Sequence, residues 1–265
     1  MNISIITTVK NNPLGIYATI KSVINQTIFK NIEYIIVDAS TDVKTSVIIS
    51  DLIKNKNIKY IKSKDNNLYK GINKGIRASK GQYIGIINSG DIFYSKNILK
   101  YILNYIRKKK YPNLICGNLI YFNDFKIIRV WNMKCNTFKI DPFRIAHPST
   151  FIKREILVKN GYYSENYSIC SDLDFFLKSK KDFDDKSIYI NKNFIFMRDG
   201  GLSTDIIKLP TKIFEDLSIL FSYFSLFFFI AYIYKILIKL PGLFSFNKNF
   251  YYKDFLEQFL AISKK

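Results

Sequence analysis

Apolar and polar positions follow two alternating periodicities over the first 110 residues of the chain. Residues 2–9 form an apolar run rich in β-branched side chains, which is typical of a buried strand. Residues 13–26 then place apolar side chains on one helical stripe behind an N-terminal proline. The alternation continues with strands predicted over 32–37, 58–61 and 82–87 and helices over 43–54, 68–79 and 94–110. Strand-helix-strand repetition predicts a mostly parallel sheet flanked by helices, hence an α/β fold.

The pattern becomes mixed in the second half of the chain. Residues 113–130 predict short strands separated by turns at Gly117-Asn118 and Asn123-Asp124. A helix is predicted over about 172–180. Because no internal repeat or Gly/Ser-rich linker interrupts residues 1–204, we expect them to form one domain.

The C-terminal segment, residues 205–265, differs from the rest in its apolar character. Residues 217–234 carry no charge, whereas Glu215-Asp216 precedes them and Lys235 follows. Eighteen residues are at the lower limit for crossing a bilayer. The many phenylalanines and the lysines beyond them favour a helix on or partly within a membrane surface. A true membrane span and a buried core helix are the alternatives.

The formal net charge of +20 indicates a phosphate-bearing partner such as a nucleic acid, an anionic membrane or a phosphorylated small molecule. AT-rich codon usage is a competing explanation, since lysine is abundant here together with Asn, Ile, Phe and Tyr. The densest basic run covers only residues 107–110. We therefore expect no nucleic-acid partner.

The cysteines and the histidine exclude several kinds of site. Cys116, Cys135 and Cys170 have neither zinc-ribbon nor C-x-x-C spacing, and His147 is the only histidine, which excludes a multi-His metal centre. The chain begins without the basic-then-apolar plan of a signal peptide. These features predict a cytoplasmic protein with reduced thiols.

Two aspartates follow predicted strands at the same edge of the sheet. Asp38 ends the second strand and Asp91 ends the turn after the fourth. Ligands of open α/β sheets bind outside the carboxyl ends of the strands, so both side chains are candidates for nucleotide or metal binding. Asp91 is suited to hold Mg²⁺ or Mn²⁺ against a diphosphate, and Asp38 to accept a hydrogen bond from a nucleobase. Turn formation or helix capping is the structural alternative for both.

Three further residues are candidates for chemistry in the second half. Asp172 and Asp174 lie near the start of a predicted helix, where either carboxylate can serve as a general base or complement the helix dipole. His147 precedes a proline and is a candidate, with Asp174, for contact with a phosphate or an acceptor. A structural hydrogen-bonding role is the alternative for the histidine.

Eight short segments occur in an order that resembles the family 2 glycosyltransferases of bacterial polysaccharide and glycan synthesis. They are SIITTVKN at 4–11, TIKSVINQT at 19–27, EYIIVDASTD at 33–42, NKGI at 73–76, INSGD at 87–91, HPSTF at 147–151, SDLD at 171–174 and GGLS at 200–203. The resemblance covers about residues 2–204 and implies the GT-A fold, a Rossmann-like nucleotide-binding sheet.

The resemblance also implies roles for individual residues. Thr8, Asp38 and Asp65 correspond to positions that bind the donor nucleotide. Asp91 corresponds to the last acidic position of the metal-binding turn, which implies a Mg²⁺ or Mn²⁺ cofactor. Asp172 corresponds to the base that deprotonates the acceptor hydroxyl in inverting members.

The resemblance over residues 2–204 and the apolar character of the C-terminal segment together predict how the chain is divided. We expect a donor half over about residues 1–112, an acceptor half over about 113–204 and a helical, membrane-associating segment over 205–265. Asn67 and Lys70 depart from the family pattern, which has Gly and Asp at these positions. Because Lys70 reverses a charge near the donor site, it bears on donor choice.

The predicted function is transfer of one sugar from a nucleotide-diphosphate donor, with a UDP-sugar favoured, to a hydroxyl of a lipid-linked surface glycan. The protein is expected to lie peripherally on the inner, cytoplasmic face of the cell membrane, held by anionic lipid. Three alternatives remain: a catalytically inactive nucleotide- or glycan-binding relative, a nucleic-acid-binding protein, and a nucleotidyltransferase.

Overall fold

The computed structural model describes residues 3–54, 56–123, 126–133, 141–184, 186–201, 205–238 and 248–249. Its strands are β1 Ile3–Val9, β2 Ile32–Asp38, β3 Ile58–Lys62, β4 Tyr83–Ile86, β5 Ile92–Phe93, β6 Leu114–Phe122, β7 Lys126–Trp131, β8 Thr150–Lys153, β9 Ser187–Arg198 and β10 Lys248–Asn249. Its helices are α1 Pro13–Ile24, α2 Val43–Ile53, α3 Leu68–Ala78, α4 Ile98–Lys108, α5 Arg154–Lys159, α6 Ser171–Lys178, α7 Lys180–Phe183, α8 Leu209–Phe224 and α9 Phe228–Leu237. Cys135, Asp124 and most of residues 239–265 lie outside the described residues.

The first four strands form the parallel half of one sheet, in the order β3-β2-β1-β4. Beyond β4 the directions are mixed, because β8 runs antiparallel between β4 and β6 while β9 runs parallel to β6. The α/β fold predicted from the sequence is confirmed. The carboxyl ends of β1, β2 and β4 meet at one edge, where ligands of such sheets bind.

The core lies between the sheet and its helices and is built mainly from isoleucines of the parallel strands. α3 packs directly on β1 at Gly75, where an added Cβ would lie 2.4 Å from Cγ2 of Ile6. Three side chains fix the helix starts through N-caps: Asn12 for α1, Asp42 for α2 and Asn67 for α3. These caps follow strand ends, so they also fix the loops at the binding edge.

Two elements differ in their extent from the sequence predictions. The turn predicted at Gly117-Asn118 is wrong, because β6 continues through it with a shift of register against β9. The Phe194 ring occupies the space beside Gly117, within 2.4 Å of where a Cβ would lie, so glycine here serves close packing. The helix predicted from residue 94 begins only at Ile98, since the Tyr94 amide still donates to the Phe194 carbonyl beside the sheet.

The C-terminal hairpin consists of α8, a turn at Ser225–Phe227 and α9. The stretch Ile206–Leu237 is long and apolar enough to cross a membrane by length and composition. It is not one straight helix, because Ser225 has φ of +45° and Lys235 forms an ion pair with Asp216. Asp216 and Lys235 would lie about 28 Å apart in a straight helix. The two helices therefore fold back on each other.

The two faces of the C-terminal hairpin differ in their surroundings. Ile219 and Leu220 are fully buried against Leu173 and Leu177 of α6. The opposite face exposes apolar side chains to solvent: Phe214, Phe221, Leu226, Phe227, Phe229, Ile230, Ile233, Ile236 and Leu237. The hairpin is thus docked on the α/β domain by one face and leaves the other uncovered among the described residues.

Candidate functional site

A cleft of about 690 Å³ opens at the carboxyl ends of the parallel strands. The first half of the chain contributes the ends of β1 and β4 and the start of α3, and the second half contributes the start of α6. The C-terminal hairpin closes one side. Polar side chains lining the cleft include Thr8, Lys10, Asp65, Asn88, Asp91, Arg129, His147, Asp172, Arg198, Lys208, Lys212, Asp216 and Lys235. This volume is in the range of nucleotide-sized ligand sites.

The ends of β1 and β4 are joined by a side-chain hydrogen bond. Thr8 Oγ1 donates to Asn88 Oδ1 at 2.8 Å, and the Ser89 amide donates to the Thr8 carbonyl at 3.0 Å. Gly90 follows with φ of +106°, a conformation that favours glycine and that turns the chain back toward Asp91. The predicted residues Thr8 and Asp91 therefore lie in the same cleft, on adjacent strand ends.

Asp91 is a buried carboxyl group, only 5% exposed, that lines the cleft. Burial raises its pKa to about 8, although backbone N–H groups of Arg198 and Asn88 act in the opposite direction. A group this strongly desolvated stays protonated at neutral pH unless a cation reaches it. The residue predicted to bind metal is thus the one whose ionised form most needs a cation.

The carboxylate of Asp38 is fully engaged by neighbouring groups. It accepts hydrogen bonds from the Ser40 amide at 2.8 Å, Tyr60 Oη at 2.7 Å and Lys62 Nζ at 2.8 Å, with Ser46 Oγ at 3.2 Å. Burial alone would raise the pKa of Asp38, but the bonds from Lys62, Ser40 and Tyr60 outweigh it and lower the pKa. Val37 and Ala39 line the cleft beside it, whereas Asp38 does not.

Asp65 lines the cleft beside the start of α3. Lys74 Nζ donates to its carboxylate at 2.7 Å, and Ser63 Oγ donates to the same oxygen at 2.7 Å. These two bonds, with that of Lys74 the larger, hold the pKa of Asp65 below its usual value. The site therefore presents an ionised carboxylate at neutral pH.

The two residues that depart from the family pattern have different surroundings. Asn67 caps α3 by accepting from the Tyr69 amide at 2.8 Å, and its Nδ2 donates to the carbonyls of Glu165 and Tyr167. Asn67 thus ties the start of α3 to the loop before α6. Lys70 is exposed and is not among the residues that line the cleft.

Asp172 lies in the first turn of α6 and lines the cleft. Its Oδ1 lies 3.2 Å from the hydroxyl of Tyr69, which in turn lies 2.7 Å from the Ile169 carbonyl. Desolvation is the main cause that raises the pKa of Tyr69, and the Asp172 carboxylate adds to it. The residue predicted to act as the base is therefore positioned by a tyrosine of α3.

His147 and Asp174 have different surroundings. His147 lines the cleft, is 6% exposed, and its Nε2 has no hydrogen-bond partner among the described residues. Burial lowers the pKa of His147 despite the opposing effect of Asp172, so the imidazole is neutral at neutral pH. Asp174 points away toward α8, where its Oδ1 accepts from Tyr223 Oη at 3.0 Å, and it does not line the cleft.

The sequence analysis missed several side chains that line or support the cleft. Arg129 lies over the Tyr121 ring at 3.9 Å and over the Trp131 ring at 5.5 Å. Asp216 and Lys235 line the cleft from the C-terminal hairpin. The last two are charges at the ends of an apolar stretch, and that isolation was the signal available in the sequence.

The structure is compatible with a metal ion held by a single protein carboxylate. Among the described residues, no cluster of three or more His, Cys, Asp or Glu side chains forms a complete metal site. Mg²⁺ commonly binds to one or two carboxylates and takes its other ligands from substrate phosphates and water. Asp91 fits that arrangement, because its carboxyl is buried and forms no ion pair with a described residue.

Comparisons with known proteins agree with this geometry. The sequence model described as Glycosyl transferase family 2 matches residues 4–199. No curated protein matches the sequence. The fold is similar to crystal structures of S. aureus TarS 1–349, with a TM-score of 0.67 at 17% identity over 83% of this chain and 64% of that one. For the complex of that fragment with UDP-GlcNAc, the TM-score is 0.68 at 18% identity, over 83% of this chain and 66% of that one.

A second similar structure is a mannosyltransferase from Pyrobaculum calidifontis in complex with GDP-Man and Mn²⁺. Its TM-score is 0.55 at 12% identity, over 72% of this chain and 55% of that one. This chain thus spans about two thirds of the TarS fragment and about half of the mannosyltransferase. At these identities the likeness concerns the fold.

Proposed function

Because this chain belongs to glycosyl transferase family 2, we propose that it transfers one sugar from a nucleoside-diphosphate donor to a hydroxyl of a glycan acceptor. The observation that carries the proposal is that the buried Asp91 carboxyl, after β4, and Asp172, at the start of α6, line the same cleft. Transfer with inversion needs a group that stabilises the leaving diphosphate on one side and a base on the other.

The donor nucleotide occupies the ends of β1 and β4 in this proposal. Thr8 and Asp65 supply polar contacts there, and Val37 and Ala39 offer an apolar surface for the base. Asp38 acts indirectly by holding the loop after β2 through its bond to the Ser40 amide. A UDP-sugar is the favoured donor, since TarS has been crystallised with UDP-GlcNAc.

Asp91 would hold Mg²⁺ or Mn²⁺ against the donor diphosphate. The bound ion would neutralise charge on the leaving group. Burial keeps water from competing for the carboxylate, which strengthens its attraction for a cation. Metal binding requires loss of the proton that burial retains on Asp91 below about pH 8.

Asp172 would accept the proton of the attacking acceptor hydroxyl. Tyr69 fixes the carboxylate from the side of α3. The neutral His147 lies in the same cleft, and no described residue binds its Nε2. His147 is suited to contact the acceptor or a phosphate oxygen. Asp174, by contrast, faces Tyr223, so we assign it no contact with substrate.

The acceptor is proposed to be a lipid-linked glycan at the cytoplasmic face of the cell membrane. Leu226, Phe227 and Ile230 on the uncovered face of the C-terminal hairpin are 87%, 69% and 66% exposed. The net charge of +20 favours anionic lipid. Because the hairpin both closes the cleft and carries this apolar face, peripheral docking would bring the cleft to lipid-linked acceptors.

The test is nucleotide release from a panel of UDP-, GDP-, CMP- and dTDP-sugars, with and without Mn²⁺ or Mg²⁺. Lipid extracted from membranes of the organism that encodes the protein supplies the acceptor. We expect metal-dependent release from one donor, abolished in Asp172→Asn with nucleotide affinity intact by calorimetry. Asp182→Asn, on remote α7, is the control. Nucleotide binding without release from any donor would instead support a catalytically inactive relative. Turnover in Asp172→Asn equal to that of wild type would exclude Asp172 as the base.

A further inference from the structure

Glu215 of α8 is a buried carboxylate, 7% exposed, that binds the loop ahead of α6. Its Oε1 accepts hydrogen bonds from the Ser168 amide and the Ser168 hydroxyl, both at 2.7 Å. Its Oε2 accepts from the amides of Ile169 and Cys170, both at 2.9 Å. Three consecutive backbone donors and one hydroxyl thus converge on one side chain. Charge-assisted bonds of this kind are short and geometrically strict.

The bound segment leads directly into the helix that carries the proposed base. Cys170 is the residue before α6, its side chain makes no cap, and Asp172 is the second residue of the helix. On its other side the segment is held by Tyr69, whose hydroxyl lies 2.7 Å from the Ile169 carbonyl. Residues 168–170 are therefore clamped between α3 of the donor half and α8 of the C-terminal hairpin.

The neighbouring residue extends this connection to α9. Asp216 forms a buried ion pair with Lys235, and both line the cleft. Two successive residues of α8 thus make separate contacts: Glu215 binds residues 168–170, and Asp216 binds α9. A shift of the hairpin would move the Glu215 carboxylate and, through three amide bonds, the start of α6.

We infer that Glu215 is a positioning residue that sets the location of Asp172, so that the C-terminal hairpin is part of the transfer machinery as well as a docking element. The inference rests on the proposed function, because it takes Asp172 to be the base. A displacement of a reacting group by about 1 Å costs on the order of 100-fold in rate, so the clamp controls turnover more than donor binding.

Glu215→Gln tests this with little change of size. The amide keeps one acceptor oxygen but places an NH₂ donor against backbone N–H donors, which breaks the clamp. Glu33 offers a matched control at the opposite end of the sheet. Its Oε2 accepts from the Lys80 amide at 2.7 Å, the Gly81 amide at 3.3 Å and the Ser4 hydroxyl. Because glutamine would keep an acceptor oxygen for all three donors, the control is Glu33→Met, which has a similar size and removes this network far from the cleft.

The readouts are kcat and KM for nucleotide release from the preferred donor, the melting temperature, and calorimetric nucleotide affinity. We expect Glu215→Gln to lower kcat about 10- to 100-fold with the KM for donor within about twofold of wild type. We expect Glu33→Met to lower the melting temperature and to leave kcat within about twofold.

Equal kcat in the two variants, or a loss of donor affinity that accounts for the slower turnover of Glu215→Gln, would overturn the inference. Turnover that persists in Asp172→Asn would overturn the proposed base instead, so the two failures are distinguishable. If Glu215→Gln does not fold, Ser168→Ala removes a single bond of the clamp. A kcat for Ser168→Ala equal to wild type would then count against the inference, and a several-fold decrease would support it.

Discussion

Replacement of Asp91 by asparagine is expected to stabilise the metal-free protein at alkaline pH. Burial raises the folded-state pKa of this carboxyl from 3.8 to about 8. Well below pH 3.8, the carboxyl is protonated in both folded and unfolded states and no cost arises. As pH rises from 4 to 8 the unfolded chain releases a proton that the folded chain retains, so wild-type stability falls. Asparagine has no proton to release.

The size of the effect follows from the pKa difference. At about 1.4 kcal/mol per pKa unit, ionised Asp91 costs the metal-free folded state on the order of 5 kcal/mol above pH 8. With roughly 2 °C of melting temperature per kcal/mol for a chain of this size, Asp91→Asn should melt on the order of 10 °C higher than wild type at pH 8.5. Near pH 4.5 the same linkage leaves a difference of only about 1 kcal/mol, or about 2 °C.

Thermal melts from pH 4.5 to 9 in EDTA, followed by circular dichroism, measure this difference. Asp182→Asn is the matched control, because hydrogen bonds from Asn160 and Lys159 lower the pKa of Asp182. Its ionised form therefore stabilises the folded state, and Asp182→Asn should lower the melting temperature above about pH 4. With Mn²⁺ and UDP, wild type should regain stability and Asp91→Asn should not. A melting difference between wild type and Asp91→Asn that stays constant with pH would refute the argument from burial.

Three other variants test separate features. Asn67→Ala removes the cap of α3 and should cost about 1 kcal/mol of unfolding free energy in urea titrations, whereas a change within about 0.3 kcal/mol would show that the cap is dispensable. Gly117→Ala places a methyl group against the Phe194 ring and should cost about 1–3 kcal/mol in the same assay, with no loss expected only if the ring can move aside. The double variant Phe227→Ser/Ile230→Ser should reduce cosedimentation with vesicles containing about 30% anionic lipid, and unchanged binding would argue against the docking face.

The parallel half of the sheet was predictable because its signal is local. Each strand is a short apolar run and each following helix has its own stripe and cap, as in α1 behind Asn12. The order of these elements then limits the topology to parallel neighbours. Asp38 and Asp91 could be assigned to one edge for the same reason, since both come at the ends of predicted strands, whereas Thr8 was assigned by the family resemblance.

Features that depend on contacts between distant segments were not predictable in this way. The surroundings of Asp38 depend on the register of β2 with β3, which sets Lys62 opposite it. The uninterrupted course of β6 depends on the Phe194 ring beside Gly117. The reversal at Ser225 has no glycine or proline to signal it, and it is specified instead by packing of α8 and α9.

The buried pair of Asp216 and Lys235 has a consequence for how α8 and α9 align. Contacts between apolar helix faces are non-directional, so two such helices can slide by a turn at little cost. A buried ion pair adds little net stability, but its two charges meet in only one alignment of the helices. We therefore expect this pair to select the register of α8 against α9. Asp216→Leu/Lys235→Leu should then melt no lower than wild type while its proton NMR spectrum broadens from exchange between alignments. A spectrum as sharp as wild type would show that packing alone selects the register.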